Sequence, residues 1–197
     1  NGLPRIIRVR KNSNEKERTR GIRILALRNI VTLPNPVLKR KAHAVTQFDK
    51  ALRTLINDMV ETMREAPGVG LAAPQIGLLE RIAVIEYFEK PEDEENEDAP
   101  KKVWAVINPE IVKVSEETLM GVEGCLSIPG LLGEVERHAE VHIKALNRHG
   151  QPMKIRAKGW LARIFQHEID HLNGIMFTER ATRVWQPTQE VDAEQEV

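Results

Sequence analysis

Gln166-His167-Glu168-Ile169-Asp170-His171 lies inside an apolar run that reads as one helix over residues 159–173, with Gly174 placed to end it. Residues four apart on a helix share a face about one turn from each other, so His167 and His171 can each offer a ring nitrogen to one metal ion. Glu168, between them, can reach the open side of such an ion, where it would accept a proton from a bound water rather than act as a ligand. The His-Glu-x-x-His pattern is moderately specific, because two histidines at this spacing also occur as packing or capping residues. What surrounds this helix determines the fold.

Upstream of it, segments rich in Val and Ile and bounded by Pro or Gly predict strands at 81–87, 103–108 and 111–114. Further strands are expected at 133–146 and 153–157, with a turn at 147–150. Earlier still, Phe48, Leu52, Leu55, Ile56, Met59 and Met63 form one apolar stripe on a helix of about four turns. Asp49 is its N-cap and Pro67-Gly68 its stop. Ordered structure is expected to begin near 22–27, and Leu33-Pro34-Asn35-Pro36 then forces an extended turn.

At 197 residues the chain suits one domain with a hydrophobic core. No apolar run approaches the roughly 20 residues that span a bilayer, and no signal-peptide pattern is present. A soluble intracellular protein without membrane contact is expected. The Arg-rich, acid-poor start also resembles an organellar transit peptide, but only Ser13 supplies the expected serine. The first residue is not methionine, so the chain is processed, trimmed or incompletely represented. A net charge of zero hides segregation: residues 1–50 hold thirteen Lys or Arg against three Asp or Glu, and residues 51–125 hold seven against sixteen. Residues 1–21 read as a flexible basic arm, either a solvated tail or a contact for RNA or the ribosome. Residues 91–100 read as a mobile acidic insertion, and 186–197 as an acidic tail, leaving 22–185 as the folded domain.

Two more segments carry chemistry. Gly68-Val69-Gly70-Leu71-Ala72-Ala73-Pro74-Gln75-Ile76-Gly77 is too rich in Gly and Pro for a helix and too apolar for a typical solvated loop. It is either a tight helix-to-strand connection or a strip where a ligand lies against backbone, with Gln75 able to donate a hydrogen bond. Glu123-Gly124-Cys125-Leu126-Ser127 contains the only cysteine, which excludes an internal disulfide. Alone, such a residue is more often a small buried hydrophobe. Beside two histidines it becomes a candidate third ligand, leaving a fourth tetrahedral position open as in catalytic sites.

The order and spacing of these three segments resemble the signature motifs of the bacterial-type peptide deformylases, and the likeness runs over about residues 27 to 182. It includes Asn35-Pro36-Val37-Leu38, Ile107-Asn108-Pro109-Glu110 and His171-Leu172-Asn173-Gly174. No motif position departs from the family pattern. The resemblance implies an α+β domain in which antiparallel strands pack around a central metal-binding helix. It implies a metallohydrolase that removes the N-formyl group from the N-terminal formylmethionine of nascent polypeptides, releasing formate by attack of a metal-bound water assisted by Glu168. Cys125, His167 and His171 would hold one divalent ion, typically Fe(II) and replaceable by Zn, Ni or Co. Gln75 and the Leu126 N–H would hold the formyl oxygen, and Gly70 would pair with substrate backbone. Val69, Ile128, Trp160 and Ile164 are candidates for the methionine pocket, Arg137 for a contact with substrate backbone, and Arg163 for the pocket rim.

Two other classes compete with this reading. A metzincin-type protease needs a third histidine at Gly-x-x-His, but Gly174 is followed by Ile175, Met176 and Phe177. A binding protein working through the basic arm would be favoured by loss of Glu168 or of a ligand, and none is lost.

Overall fold

The computed structural model of the protein describes residues 26–88 and 101–187. The basic arm at 1–21, the first part of the expected start of order at 22–25, the acidic insertion at 91–100 and the tail after Pro187 lie outside the described residues. Within them the chain forms α1 (Lys50–Glu65), β1 (Gly70–Ala72), β2 (Ile82–Phe88), β3 (Lys101–Val114), β4 (Thr118–Cys125) and β5 (Ile128–His138). β6 (Glu140–Leu146), β7 (Pro152–Lys158), α2 (Gly159–Leu172) and β8 (Arg183–Trp185) follow. No helix among the described residues is long and apolar enough to cross a membrane.

Side chains alternate across a strand, and β2 uses both of its faces. Ile82 and Val84 meet the α1 stripe of Leu52, Ile56, Met59 and Met63, while Ala83 and Ile85 join Leu161, Ile164, Phe165, Ile169 and Leu172 of α2. The first four residues of β2, Ile82 to Ile85, therefore form a continuous apolar run. It belongs to an antiparallel five-stranded sheet in the order β1-β2-β3-β6-β7. A smaller antiparallel sheet, β4-β5-β8, contributes Ile128 and Val135 to a third apolar cluster with Leu38, Met176 and Phe177. Helix α2 touches β1, β2, β6 and β7 of one sheet and β5 of the other. Only Gly159, Trp160 and His167 of its fourteen residues escape full burial. A helix buried all round is a central element, and the expected α+β architecture is the one formed.

Several strand boundaries differ from expectation. The segments at 103–108 and 111–114 are a single strand, β3, bent at an irregular register where Asn108 adopts φ +51°. The Asn108 amide holds that bend by accepting from the Val45 N–H at 2.8 Å and donating to the Val45 carbonyl at 2.9 Å. The run at 133–146 is two strands in different sheets, since the chain crosses at Ala139, whose N–H is taken by Glu117. β4 has no counterpart among the expected strands, because its exposed Leu119, Met120 and Val122 give no clean alternation. The α1 cap is as expected: the Asp49 carboxylate accepts from the Leu52 N–H at 2.9 Å.

Candidate active site

Cys125 ends β4, and His167 and His171 occupy successive turns of α2, so the two sheets and the helix between them bring the three residues together. The Cys125 Sγ lies 3.3 Å from His171 Nε2, and the two histidine Nε2 atoms are 3.2 Å apart. The three ligand atoms all lie within 4.8 Å of one another. Tetrahedral coordination at ordinary metal–nitrogen and metal–sulfur distances needs donor separations of about 3.3 to 3.6 Å. Two of the three separations match this spacing and the third lies within 4.8 Å, so the cluster could hold a divalent ion, and one thiolate with two imidazoles suits borderline transition metals rather than magnesium or calcium. Burial first, then the nearby His167 and Arg137 charges, push His171 well below its ordinary pKa, whereas for His167 burial is outweighed by hydrogen bonds to Cys125 and Glu123, which raise it to about 10.

Several polar groups around the donors are themselves held. His167 Nδ1 is 2.9 Å from the Glu123 carboxylate, which leaves Nε2 for a metal. Burial works against the charged Glu123, yet hydrogen bonds from His167 and Arg137 bring its pKa down to about 2. Gln75 is oriented by its neighbour: the Ala72 N–H donates to Gln75 Oε1 at 2.8 Å, which turns Nε2 toward the Cys125 Sγ at 3.5 Å. Leu126 lies in the turn between β4 and β5, next to Ser127, whose N–H approaches the thiol at 3.4 Å.

Glu168 is buried, and its Oε2 has no hydrogen-bond partner. Burial drives its carboxyl up to about 7, with the Glu123 charge acting in the same direction and His167 opposing both. A group with a pKa near neutrality can both accept and return a proton. Gly70 makes room for it, since a Cβ at that position would stand 2.3 Å from Glu168 Oε1. Gly70→Ala should therefore displace the carboxylate and lower kcat at least about tenfold, because misplacement by about an ångström is costly in an oriented site. Steady-state kinetics with bound metal measured in parallel would check this; unchanged kcat would remove the steric argument.

A cavity of about 450 Å³ opens onto these groups. Val69, Gly70, Gln75, Cys125, Leu126, Ile128, Trp160, Arg163, Ile164, His167 and Glu168 all line it. Val69 and Trp160 stand at its exposed rim, whereas Ile128 and Ile164 are buried.

Arg137 is a correction. Its guanidinium does not line the cavity but is buried, donating twice to Glu123, at 2.9 and 3.0 Å, and to Asp170 at 2.5 Å. Two buried carboxylates leave it no reach toward a substrate backbone. Arg163 does touch the cavity, but its NH1 and NH2 groups are engaged by Glu123, the Val135 carbonyl and the Leu119 carbonyl. Sequence reasoning missed Glu123, Asp170 and Arg180, whose guanidinium donates to both Asp170 oxygens. The signal was present: Asp170 and Arg163 interrupt an apolar helix, and charges inside a core must be paired.

A family model described as polypeptide deformylase matches residues 27–186. A peptide deformylase of Natranaerobius thermophilus is 48% identical over 161 residues, covering 82% of this chain and 96% of that protein. Peptide deformylase 1 of Bacillus subtilis is 44% identical over 170 residues, covering 86% of this chain and 99% of its own length. The Met-Ala-Ser-bound crystal structure of a class I type b peptide deformylase from Acinetobacter baumannii superposes with a TM-score of 0.72 at 37% identity, covering 80% of this chain and 99% of that one. Since the match runs through both sheets, both helices and all three candidate donors, the chain belongs to the polypeptide deformylase family, whose members are hydrolases.

Proposed function

We propose that this protein hydrolyses the N-formyl group of the N-terminal formylmethionine of nascent polypeptides, with Glu168 as the proton-transfer group. The observation that carries the reading is one cavity that gathers a three-donor cluster, the partnerless Glu168 oxygen and the oriented Gln75 amide. Cys125, His167 and His171 would hold one divalent ion, Fe(II) foremost, with Zn, Ni or Co as substitutes. When bound, such an ion supplies Lewis acidity and brings water closer to ionisation at neutral pH.

The chain's own residues do the rest. Glu168 takes a proton from the attacking water and returns it to the amine as the formyl C–N bond breaks and formate leaves. Gln75 Nε2 and the Leu126 N–H donate to the formyl oxygen as it gains negative charge. Glu123 keeps His167 in the tautomer that exposes Nε2. Gly70 at the edge strand β1 takes substrate backbone in strand-like pairing, and Ile128 and Ile164 with Val69 and Trp160 bury the methionine side chain. An acetyl group would carry an extra methyl into the space of the formyl hydrogen, so an N-acetyl peptide serves as the control for size.

Gln75→Ala should lower kcat about a hundredfold while KM changes little, as expected for a donor used mainly in the transition state. The reading as a whole is tested by formate release from formyl-Met-Ala-Ser, using protein prepared anaerobically with Fe(II) or Ni(II), beside the N-acetyl control. Formate release confined to the formyl peptide supports it. No release from protein holding stoichiometric metal would overturn it.

A further inference from the structure

The five-stranded sheet is covered unequally. Helix α2 packs against one face along its length, through Ile85, Val106, Ile143, Ile155 and Ala157 among others, whereas on the opposite face α1 packs chiefly against β1 and β2. The outer half of that opposite face, on β6 and β7, is open to solvent. The register sets its composition: Lys144 stands opposite Lys154, His142 opposite Arg156 and Glu140 opposite Lys158, with Lys113 of β3 beside His142.

Lys113, Lys144, Lys154, Arg156 and Lys158 are all exposed. Two acids share this face. Glu140 is already held by Arg156 at 2.6 Å and His142 at 2.8 Å, with Lys158 at 3.7 Å, while Glu110 stands opposite Lys144. No acidic side chain pairs with Lys113, Lys144 or Lys154 among the described residues. Like charges directly opposite each other on neighbouring strands are destabilising. Lysines on an edge strand also guard against edge-to-edge aggregation, which accounts for charge on β7. It does not account for an excess of five Lys or Arg over two Glu on this face, nor for Lys144 and Lys113 on the interior strands β6 and β3.

The spacing fits a polyphosphate. Lys154, Arg156 and Lys158 recur every second residue of an extended strand, roughly 6.7 Å apart, close to the separation of successive phosphates along one nucleic-acid strand. A second basic row, Lys144 and Lys113, lies alongside. We propose that this open face of β6 and β7, extended by Lys113, is a docking surface for the sugar-phosphate backbone of RNA. It shares no residue with the lining of the catalytic cavity and lies on the side of the sheet away from α2, so docked RNA leaves the cavity free.

The test uses the full chain, a fluorescent RNA hairpin and a salt series, comparing wild type with Lys113→Gln/Lys144→Gln/Lys154→Gln. All three side chains are exposed and pair with no acid among the described residues, so the variant should fold and should release formate from a free formyl tripeptide at the wild-type rate. Its RNA affinity should fall at least about tenfold at moderate salt, and the slope of log K against log salt should shrink by about one for each phosphate no longer neutralised. Unchanged affinity and slope would overturn the proposal. So would binding that disappears on deletion of residues 1–21 alone, which would assign it to the arm. Loss of binding to phosphatidylserine vesicles with RNA binding intact would overturn it too, making the face a lipid surface.

Discussion

Glu168→Gln is expected to lower kcat for formyl-peptide hydrolysis by roughly 10²- to 10⁴-fold, the range for removing a positioned acid-base group. The substitution keeps the size and shape of a side chain that packs against Gly70, so the cavity and the three donors should be undisturbed. What it removes is the capacity of the partnerless oxygen to take a proton and give it back. Bound metal should remain stoichiometric and KM should stay within a few-fold of wild type, which separates a chemical defect from a binding defect. A kcat within about threefold of wild type, with metal content equal, would exclude Glu168 as the proton-transfer group.

Arg137→Met is expected to destabilise the protein by about 3 to 5 kcal/mol, the range for removing one partner of a buried ion pair. Arg137 joins two carboxylates that sit on different elements: Glu123 on β4, behind the His167 ring, and Asp170 on α2, one residue before His171. Without it Asp170 keeps Arg180, whereas Glu123 keeps Arg163 and the His167 ring. The methionine stem fills much of the volume, so the loss reports the removed ion-pair hydrogen bonds rather than a cavity. Urea denaturation of the metal-loaded protein would measure it, and a cost below about 1 kcal/mol would show that the cluster is held by its other members.

The fold was legible where pattern and burial coincide. α1 announces itself because one stripe faces one sheet, and α2 because its histidines fall inside an apolar run. β4 was hidden because its outward residues are Leu119, Met120 and Val122, so no polar face marks it as a half-buried strand. β5 and β6 ran together because Ala139, where the chain changes sheets, is neither Gly nor Pro and carries no turn signature. The candidate site was legible wherever a residue's chemistry sufficed to place it, as with Cys125, His167, His171, Glu168 and Gln75. Arg137 was misplaced for the complementary reason. An arginine near a motif looks equally suited to a ligand or to a buried carboxylate, and only the location of Glu123 and Asp170 distinguishes the two.

The two-sided burial of β2 bears on how the molecule breathes. Its amides lie beneath α1 on one side and α2 on the other, and its hydrogen bonds run to β1 and β3 on its two edges. Detachment of a single helix leaves the strand covered on its other face. Exchange of the Ile82 to Ile85 amides with solvent deuterium is therefore expected to be among the slowest of the described residues, so that their protection gauges global unfolding.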